Sequence, residues 1–258
     1  MSDSATRRSR GCDAWLKEKY RVVRAAATRG VARLCASPLP SWRHVVVLAP
    51  HPDDEVLGCG QLMSRTAAEG GRVSVIYLSS GEKSHNGCCP ADEVAAHREQ
   101  LAQQATQGLN IPVDRHWLRL PDGQLSADGN TLELVTRLVL QLIGDEREVC
   151  LCVPHAFEGW SDHEAANLLG TLVAKQIDLT LLEYCIWFWY SMPYGKLLRC
   201  RWRTARSVGG HREQKQAMAS RYLSATAPCG TPWVGHLPPL LVRSCLTKKE
   251  YFFHHVAF

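Results

Sequence analysis

The amino-acid sequence predicts an α/β domain built on a mostly parallel β-sheet with helices on both faces. Short apolar runs rich in β-branched residues alternate with stretches of helical length, and polar loops follow the apolar runs. Repeated strand–helix–strand units favour a parallel sheet, because each connecting helix has to bury its apolar side against the sheet. A chain of 258 residues with 45% hydrophobic residues is large enough for one domain of this class.

The predicted elements alternate from residue 44 onwards. We predict strands in HVVVLAP (44–50), RVSVIYLSS (72–80), HWLRL (116–120), VCLCVP (149–154) and LLEYCIWFWY (181–190). We predict helices over 55–71, 91–108, 131–143, 163–177 and 211–222. The polar loops after the strands should gather at one edge of the sheet, where proteins of this class bind ligands.

The first forty residues are strongly basic and are predicted to form an amphipathic helix. Its apolar residues recur every three or four positions: Leu16, Tyr20, Val23, Ala27, Val31 and Leu34. We therefore assign residues 1–40 to this helix and a short linker at 37–40, and residues 41–258 to a single domain. The helix would dock on the domain or on a second subunit of a homo-oligomer, or attach to an anionic membrane surface.

Composition, charge and hydropathy limit the partners and the cellular location that we expect. The net charge of +5 comes without an aromatic-studded basic surface, which argues against nucleic acid as a partner. Neither a secretory signal nor an apolar run long enough to span a bilayer is evident, so we expect a cytoplasmic protein. The eleven cysteines are interpreted as reduced residues without a catalytic role. The adjacent pair Cys88 and Cys89 lacks the C-x2-C spacing of a zinc knuckle.

A histidine and three consecutive carboxylates follow the first predicted strand, in APHPDDE (49–55). His51 and Asp54 could offer a nitrogen and an oxygen to the same metal ion, which would leave Asp53 free to take a proton from a metal-bound water. The carboxylates could equally cap the helix that begins near Glu55. The motif alone leaves both interpretations open.

A third metal ligand is available in the loop after VCLCVP. His163 lies at this loop-to-helix junction, and the carboxyl end of its strand should reach the same sheet edge as His51. Three protein ligands with open positions are typical of catalytic zinc sites. Nitrogen and oxygen ligands suit Zn²⁺, although Fe²⁺ would also fit. The set favours a metal site over a helix cap.

The stretches APHPDDEVLGCGQLMSRTAAEG, SSGE, LPDG and EGWSDHEAAN together resemble the LmbE/PIG-L family of zinc-dependent N-acetylglucosaminyl deacetylases. The resemblance implies a Rossmann-like fold, with zinc held by His51, Asp54 and His163 and with Asp53 as the general base. It also implies an amidohydrolase that removes an N-acetyl or other N-acyl group from an amino sugar. The sugar would belong to a glycolipid, a glycosylated natural product or a sugar conjugate.

The sequence departs from this family at Trp160, where many members have a histidine that is thought to stabilise the oxyanion. Zinc and other donors could take over that role, His155 could reach back to do so, or Trp160 could stack on a sugar face. The alternatives to deacetylation are therefore an amidase acting on a different sugar-amine conjugate, or a catalytically weak protein that binds zinc or sugar.

Further residues are candidates for holding the substrate. Glu82 follows the second strand, Asp122 lies in the Pro-Asp-Gly turn, and Arg98 lies in the helix where relatives place a substrate-holding arginine. The aromatic run 187–190 could line an acceptor pocket or form a buried strand.

Overall fold

The computed structural model describes residues 3–85, 87–107 and 113–255, with side chains from residue 15 onwards. The strands are β1 Ser37–Pro38, β2 His44–Ala49, β3 Arg72–Tyr77, β4 Val113–Trp117, β5 Val149–Pro154, β6 Thr180–Tyr184, β7 Ala205–Gly209 and β8 Lys249–His255. The helices are α1 Asp3–Cys35, α2 Asp54–Ala68, α3 Ala91–Thr106, α4 Gly129–Ile143, α5 Ser161–Gln176, α6 Phe188–Ser191, α7 Tyr194–Leu197, α8 Arg212–Ser224 and α9 Pro239–Cys245. Short 3₁₀ helices cover Glu82–His85 and Trp202–Thr204.

The strands form one sheet in the order β1-β7-β8-β6-β5-β2-β3-β4. The five strands from β6 to β4 are parallel, whereas β8 runs antiparallel to both of its neighbours, β6 and β7. This arrangement confirms the predicted mostly parallel α/β fold. Strand β2 pairs with β3 and β5, so the loops that follow these three strands leave the sheet side by side.

All six residues of β2 are buried, because helices cover both faces of the sheet. Val45 and Val47 face one hydrophobic cluster, which includes residues of α2, α3 and α8. Val46 and Leu48 face the other cluster, which includes residues of α4 and α5. The turn that follows β2 therefore begins inside the protein, and its polar side chains are largely shielded from bulk water.

Two of the predicted strands end earlier than their sequences indicate. The strand predicted as HWLRL is Val113–Trp117, and the strand predicted over 181–190 ends at Tyr184. Phe188, Trp189 and Tyr190 lie in α6 instead, because the buried Glu158 carboxylate accepts hydrogen bonds from the backbone N–H groups of Ile186 and Phe188 and draws the chain out of the sheet. The predicted end of α3 at residue 108 lies outside the described residues.

The predicted linker at 37–40 was wrong in part, because Ser37 and Pro38 form strand β1 and pair in parallel with β7. The N-terminal helix is present as α1, but the face that it buries is not its predicted apolar stripe. Ala25 and Ala32 are buried, and Arg24 donates to the carbonyl oxygen of Tyr190. Small residues and one buried arginine thus hold α1 on the domain.

The apolar stripe of α1 points into solvent. Val23 is 63% exposed and Leu34 is 88% exposed. Attachment of this stripe to a second subunit or to an anionic membrane remains a prediction. Within the described part of the chain, no helix is both long enough and apolar enough to cross a bilayer.

Helix α2 approaches the sheet closely at Gly58. A Cβ atom at this position would lie 2.3 Å from Cδ2 of Tyr184. Tyr184 is fully buried and its hydroxyl donates to the carbonyl oxygen of Leu48 over 3.0 Å, so its ring is held in place. Glycine at position 58 therefore sets the distance between α2 and the sheet.

We predict that Gly58→Ala lowers the free energy of unfolding by about 1–3 kcal/mol, because the new methyl group overpacks the Tyr184 contact. Gly30→Ala is the control, since a Cβ atom there meets no other atom within 4 Å. In urea unfolding, the control should be neutral or stabilised by up to about 1 kcal/mol through helix propensity. A Gly58→Ala protein as stable as the control would contradict this packing.

Candidate active site

The turn between β2 and α2 places three functional side chains at the carboxyl edge of the sheet. Asp53 has a φ of 127° and a ψ of −28°, a strained conformation for a residue other than glycine. Its carboxylate accepts no capping hydrogen bond from the described backbone of α2. The helix-cap interpretation therefore does not account for Asp53. Such strain persists only where surrounding contacts enforce it, and it is common at functional sites.

Asp54 lies between two histidines. Its Oδ2 atom is 3.3 Å from Nδ1 of His51 and 3.3 Å from Nε2 of His163. One ligand atom from each of these residues lies within 4.8 Å of the other two. A tetrahedral metal with ligand distances of ~2.1 Å separates its ligands by about 3.4 Å, close to both measured distances. The three donors therefore fit a divalent metal of the zinc type.

A second set of donors shares His51. Its Nε2 atom lies 3.1 Å from Asp122 Oδ1 and 3.2 Å from Asp162 Oδ2, and these three groups could also surround a metal. However, Asp122 already accepts the N–H of Lys83 at 2.9 Å, and Asp162 accepts the N–H of Gly123 at 2.7 Å. Asp122 and Asp162 thus hold the His51 ring so that Nδ1 faces Asp54. Carboxylates behind a metal-binding histidine commonly act in this way.

Glu158 lies behind His163, although no hydrogen bond within the described residues joins it to the buried Nδ1 atom. Its Oε2 atom lies 3.5 Å from His163 Nδ1, on the side of the ring away from Asp54. The Glu158 side chain is fully buried, and its carboxylate is fixed by hydrogen bonds from the backbone N–H groups of Ile186 and Phe188. Both histidines thus have a carboxylate behind the nitrogen that does not face Asp54.

Arg98 fixes the strained turn. Its guanidinium donates to the carbonyl oxygens of Pro52 at 2.7 Å and Gly81 at 3.1 Å, and it lies 3.5 Å from Asp53 Oδ1. Burial raises the pKa of the Asp53 carboxyl to about 8, with Arg98 opposing this shift and the charge of Asp54 adding to it. A carboxyl with a pKa near neutrality can both accept and return a proton.

Charge pairing dominates the rest of the cluster. Burial alone would lower the pKa of the His163 imidazole, but the Asp54 carboxylate raises it to about 9. Burial would raise the pKa of Asp54, yet the contacts with His163 and His51 hold it well below its usual range. Positive charge therefore stabilises this carboxylate, and a divalent cation in place of the imidazole protons would supply the same compensation.

These residues open onto a cavity of about 420 Å³. Its lining includes the apolar side chains of Trp160, Ile186 and Trp187 and the polar side chains of Lys83 and His236. Trp160 is 47% exposed, and its ring stacks on that of Trp187 with centroids 5.1 Å apart and planes at 15°. The paired rings present a flat apolar surface beside the charged cluster.

The structure brings most of the predicted site residues together, but two lie elsewhere. Glu82 accepts the N–H of Asp122 at 2.8 Å and so supports the turn without lining the cavity. His155 is buried against Phe188 and Phe253 and borders a different pocket. His155 therefore does not face the position of the reacting group. Of the aromatic run 187–190, only Trp187 lines the cavity.

Sequence reasoning missed four residues of this site. Asp162 and Glu158 lie in the same loop as His163, so a search for carboxylates near a proposed metal-binding histidine could have found them. Lys83 lies next to Glu82 in the loop after β3. His236 comes from the irregular C-terminal region, where no pattern in the sequence connects it to the site.

The profile of the family described as GlcNAc-PI de-N-acetylase, PIG-L, matches residues 46–174, which is half of the chain. The chain belongs to the PIG-L family. The PIG-L match contains the proposed metal ligands and Asp53, whereas His236 lies beyond it. Comparison with curated protein sequences returned no match.

Solved structures share the fold of this PIG-L protein at low sequence identity. N,N'-diacetylchitobiose deacetylase from Pyrococcus horikoshii has 16% identity and a TM-score of 0.57, covering 73% of this chain and 72% of its own. Teicoplanin deacetylase Orf2, in its zinc-inhibited form, has 14% identity and a TM-score of 0.59, with coverage of 83% and 98%. GalB, the 4-carboxy-2-hydroxymuconate hydratase from Pseudomonas putida KT2440, has 14% identity and a TM-score of 0.56, with coverage of 84% and 97%. This likeness shows the fold, and the fold carries more than one reaction.

We predict that Asp162→Asn lowers the Zn²⁺ affinity of the site by about 10–100-fold, because an amide is a weaker acceptor for the His51 Nε2–H group. Isothermal titration calorimetry with Zn²⁺ measures the change. The exposed Asp145 provides the control, and Asp145→Asn should bind zinc as the unmodified protein does. An unchanged affinity in Asp162→Asn would mean that Asp162 does not orient the ligand.

Proposed function

We propose that this protein is a zinc-dependent N-deacetylase that removes an acetyl or other acyl group from the amino group of an amino sugar. The sugar would form part of a glycolipid, a glycosylated natural product or another sugar conjugate. The observation that carries the proposal is the convergence of His51, Asp54 and His163 beside the buried Asp53, at the base of a cavity with an aromatic wall. The family description and the two deacetylases of the same fold support the same reaction.

The donor set matches what the reaction requires. Imidazole nitrogen and carboxylate oxygen are ligands suited to zinc. A divalent metal in this position would polarise the acyl carbonyl and increase the acidity of a nearby water molecule. The residues around it have to hold the substrate, move protons and accommodate negative charge on the carbonyl oxygen.

Asp53 is the proposed proton carrier. It would accept a proton from the attacking water as the new carbon–oxygen bond forms. It would then give that proton to the nitrogen as the carbon–nitrogen bond breaks, releasing the carboxylic acid and the free amine. Arg98 lies 3.5 Å from Asp53 Oδ1 and also holds the backbone of the turn, so the carboxylate is kept in one position.

The oxyanion needs a donor other than the residue at position 160. The Trp160 indole cannot carry a positive charge, and it is stacked on Trp187. Lys83 lines the same cavity. A Cβ atom on Gly123 would lie 3.6 Å from the Lys83 ammonium nitrogen. Because the N–H of Gly123 donates to Asp162, the Lys83 cation lies next to the loop that contacts Asp162. We assign the oxyanion to Lys83 and the sugar face to Trp160.

We predict that Asp53→Asn lowers kcat for acetate release by about 10²–10⁴-fold while the protein still binds zinc, because the amide cannot carry the proton. The assay measures acetate and free amine from a panel of N-acetylglucosamine derivatives of increasing size, together with other sugar amides. Zinc content by elemental analysis is the control, and it should equal that of the unmodified protein. Cleavage of other amides without acetate release would favour a different sugar-amine amidase. Bound metal with no amide cleaved would overturn the enzyme proposal and leave a binding protein.

Variants at two positions separate the role of the cavity wall in binding from the chemistry. We predict that Trp160→Ala raises KM with little change in kcat, because the sugar loses its stacking surface, whereas Trp160→Phe retains most of the affinity. Lys83→Met should lower kcat by about 10²-fold with a smaller effect on KM. Steady-state kinetics on one cleaved substrate provide both constants. The reverse pattern, with kcat lost in Trp160→Phe, would assign the oxyanion to the indole N–H.

A further inference from the structure

Three side chains from two distant segments meet beside the cavity wall. His85 ends the 3₁₀ helix Glu82–His85, Cys88 follows three residues later, and Cys229 lies in the loop between α8 and α9. One ligand atom from each of these residues lies within 4.8 Å of the other two. This cluster shares no residue with the site formed by His51, Asp54 and His163.

The distances fit a metal centre. Cys229 Sγ lies 3.5 Å from His85 Nδ1, and the Cys88 thiol lies within 4.8 Å of both of these atoms. In a tetrahedral zinc site, with ~2.3 Å to sulfur and ~2.05 Å to nitrogen, a sulfur and a nitrogen ligand are separated by about 3.6 Å. The measured separation of Cys229 and His85 is close to this value.

The histidine is already oriented for coordination. His85 Nε2 lies 2.8 Å from the carbonyl oxygen of Pro232. Because a carbonyl only accepts hydrogen bonds, Nε2 carries the hydrogen atom, and Nδ1 presents its lone pair towards Cys229. A backbone carbonyl behind the distal nitrogen is the usual partner of a metal-binding histidine. The ring also packs against Trp233, which restricts its movement.

We propose that His85, Cys88 and Cys229 bind a second, zinc-type metal ion. Two sulfur ligands and one nitrogen ligand favour a thiophilic metal such as Zn²⁺. Cys88 and Cys229 are exposed, so metal can enter from solvent and water can complete the coordination. The neighbouring Cys89 packs against the hydrophobic core, and its thiol lies 3.4 Å from that of Cys88, but the three donors that lie close together are those of His85, Cys88 and Cys229.

The position of this centre gives it a role in shaping the cavity. Ser84 and Gly235 line the cavity from the two segments that the metal would join. A hydrogen bond of 2.9 Å from Ser84 Oγ to the carbonyl oxygen of Trp233 already joins these two segments. A metal at His85, Cys88 and Cys229 would fix these segments to each other and so hold the Val234–Leu237 wall in place.

Cobalt titration of the full-length reduced protein tests the proposal, because Co²⁺ bound to thiolates gives a charge-transfer band in the near ultraviolet. We expect this band in the unmodified protein and its disappearance on addition of zinc. Cys88→Ala and Cys229→Ala should lose it, whereas Cys89→Ala should retain it. His163→Asn should also retain the band, so the result does not depend on the proposed catalytic site.

Three results would overturn the proposal. One is the absence of a thiolate band, and another is a band of the same intensity in Cys88→Ala. The third is a Cys88–Cys229 disulfide that mass spectrometry finds in the untreated protein while the reduced thiols leave cobalt unbound, since that would assign these cysteines to a redox pair.

Discussion

The Asp54 carboxylate between His51 and His163 is the interaction on which the rest of the site depends. Asp54 is buried at the start of α2, where an isolated negative charge would be strongly destabilising. The surrounding loops supply the compensation through two histidines, and each histidine has a carboxylate behind it. Those carboxylates are in turn held by backbone N–H groups, so the loops after several strands become parts of one network.

The residues proposed for the chemistry and those proposed to contact the substrate come from different parts of the chain. The proposed metal ligands and Asp53 lie within the segment that matches the PIG-L profile, on the turn after β2 and at the start of α5. The wall of the cavity draws on the C-terminal region as well, through Val234 to Leu237. Trp160, where the family resemblance led us to expect a histidine, stacks on Trp187. Under the proposed mechanism, this wall would hold a flat sugar face, and the positive charge for the oxyanion would come from Lys83.

Local pattern was enough to predict the parallel sheet, because buried strands and the helices between them have characteristic lengths and hydrophobic periods. It was also enough to place His51, Asp54 and His163 at one edge, because parallel strands end on the same side. The antiparallel insertion of β8 and the end of β6 could not be predicted in this way. The latter depends on Glu158 accepting backbone N–H groups from a remote segment. The cluster of His85, Cys88 and Cys229 could not be predicted either. The spacing of Cys88 and Cys89 does not match a zinc motif, and Cys229 is 141 residues away from Cys88 along the chain.

We propose that a metal lies on the Nδ1 side of His51 and that Asp53 remains outside its coordination. An anomalous difference map at the zinc absorption edge, from a crystal of the zinc-loaded protein, measures this directly. We expect a peak about 2.0–2.2 Å from His51 Nδ1, His163 Nε2 and an oxygen of Asp54, with the Asp53 carboxylate not coordinated. A peak between His51 Nε2, Asp122 and Asp162, or no peak near His51, would contradict it.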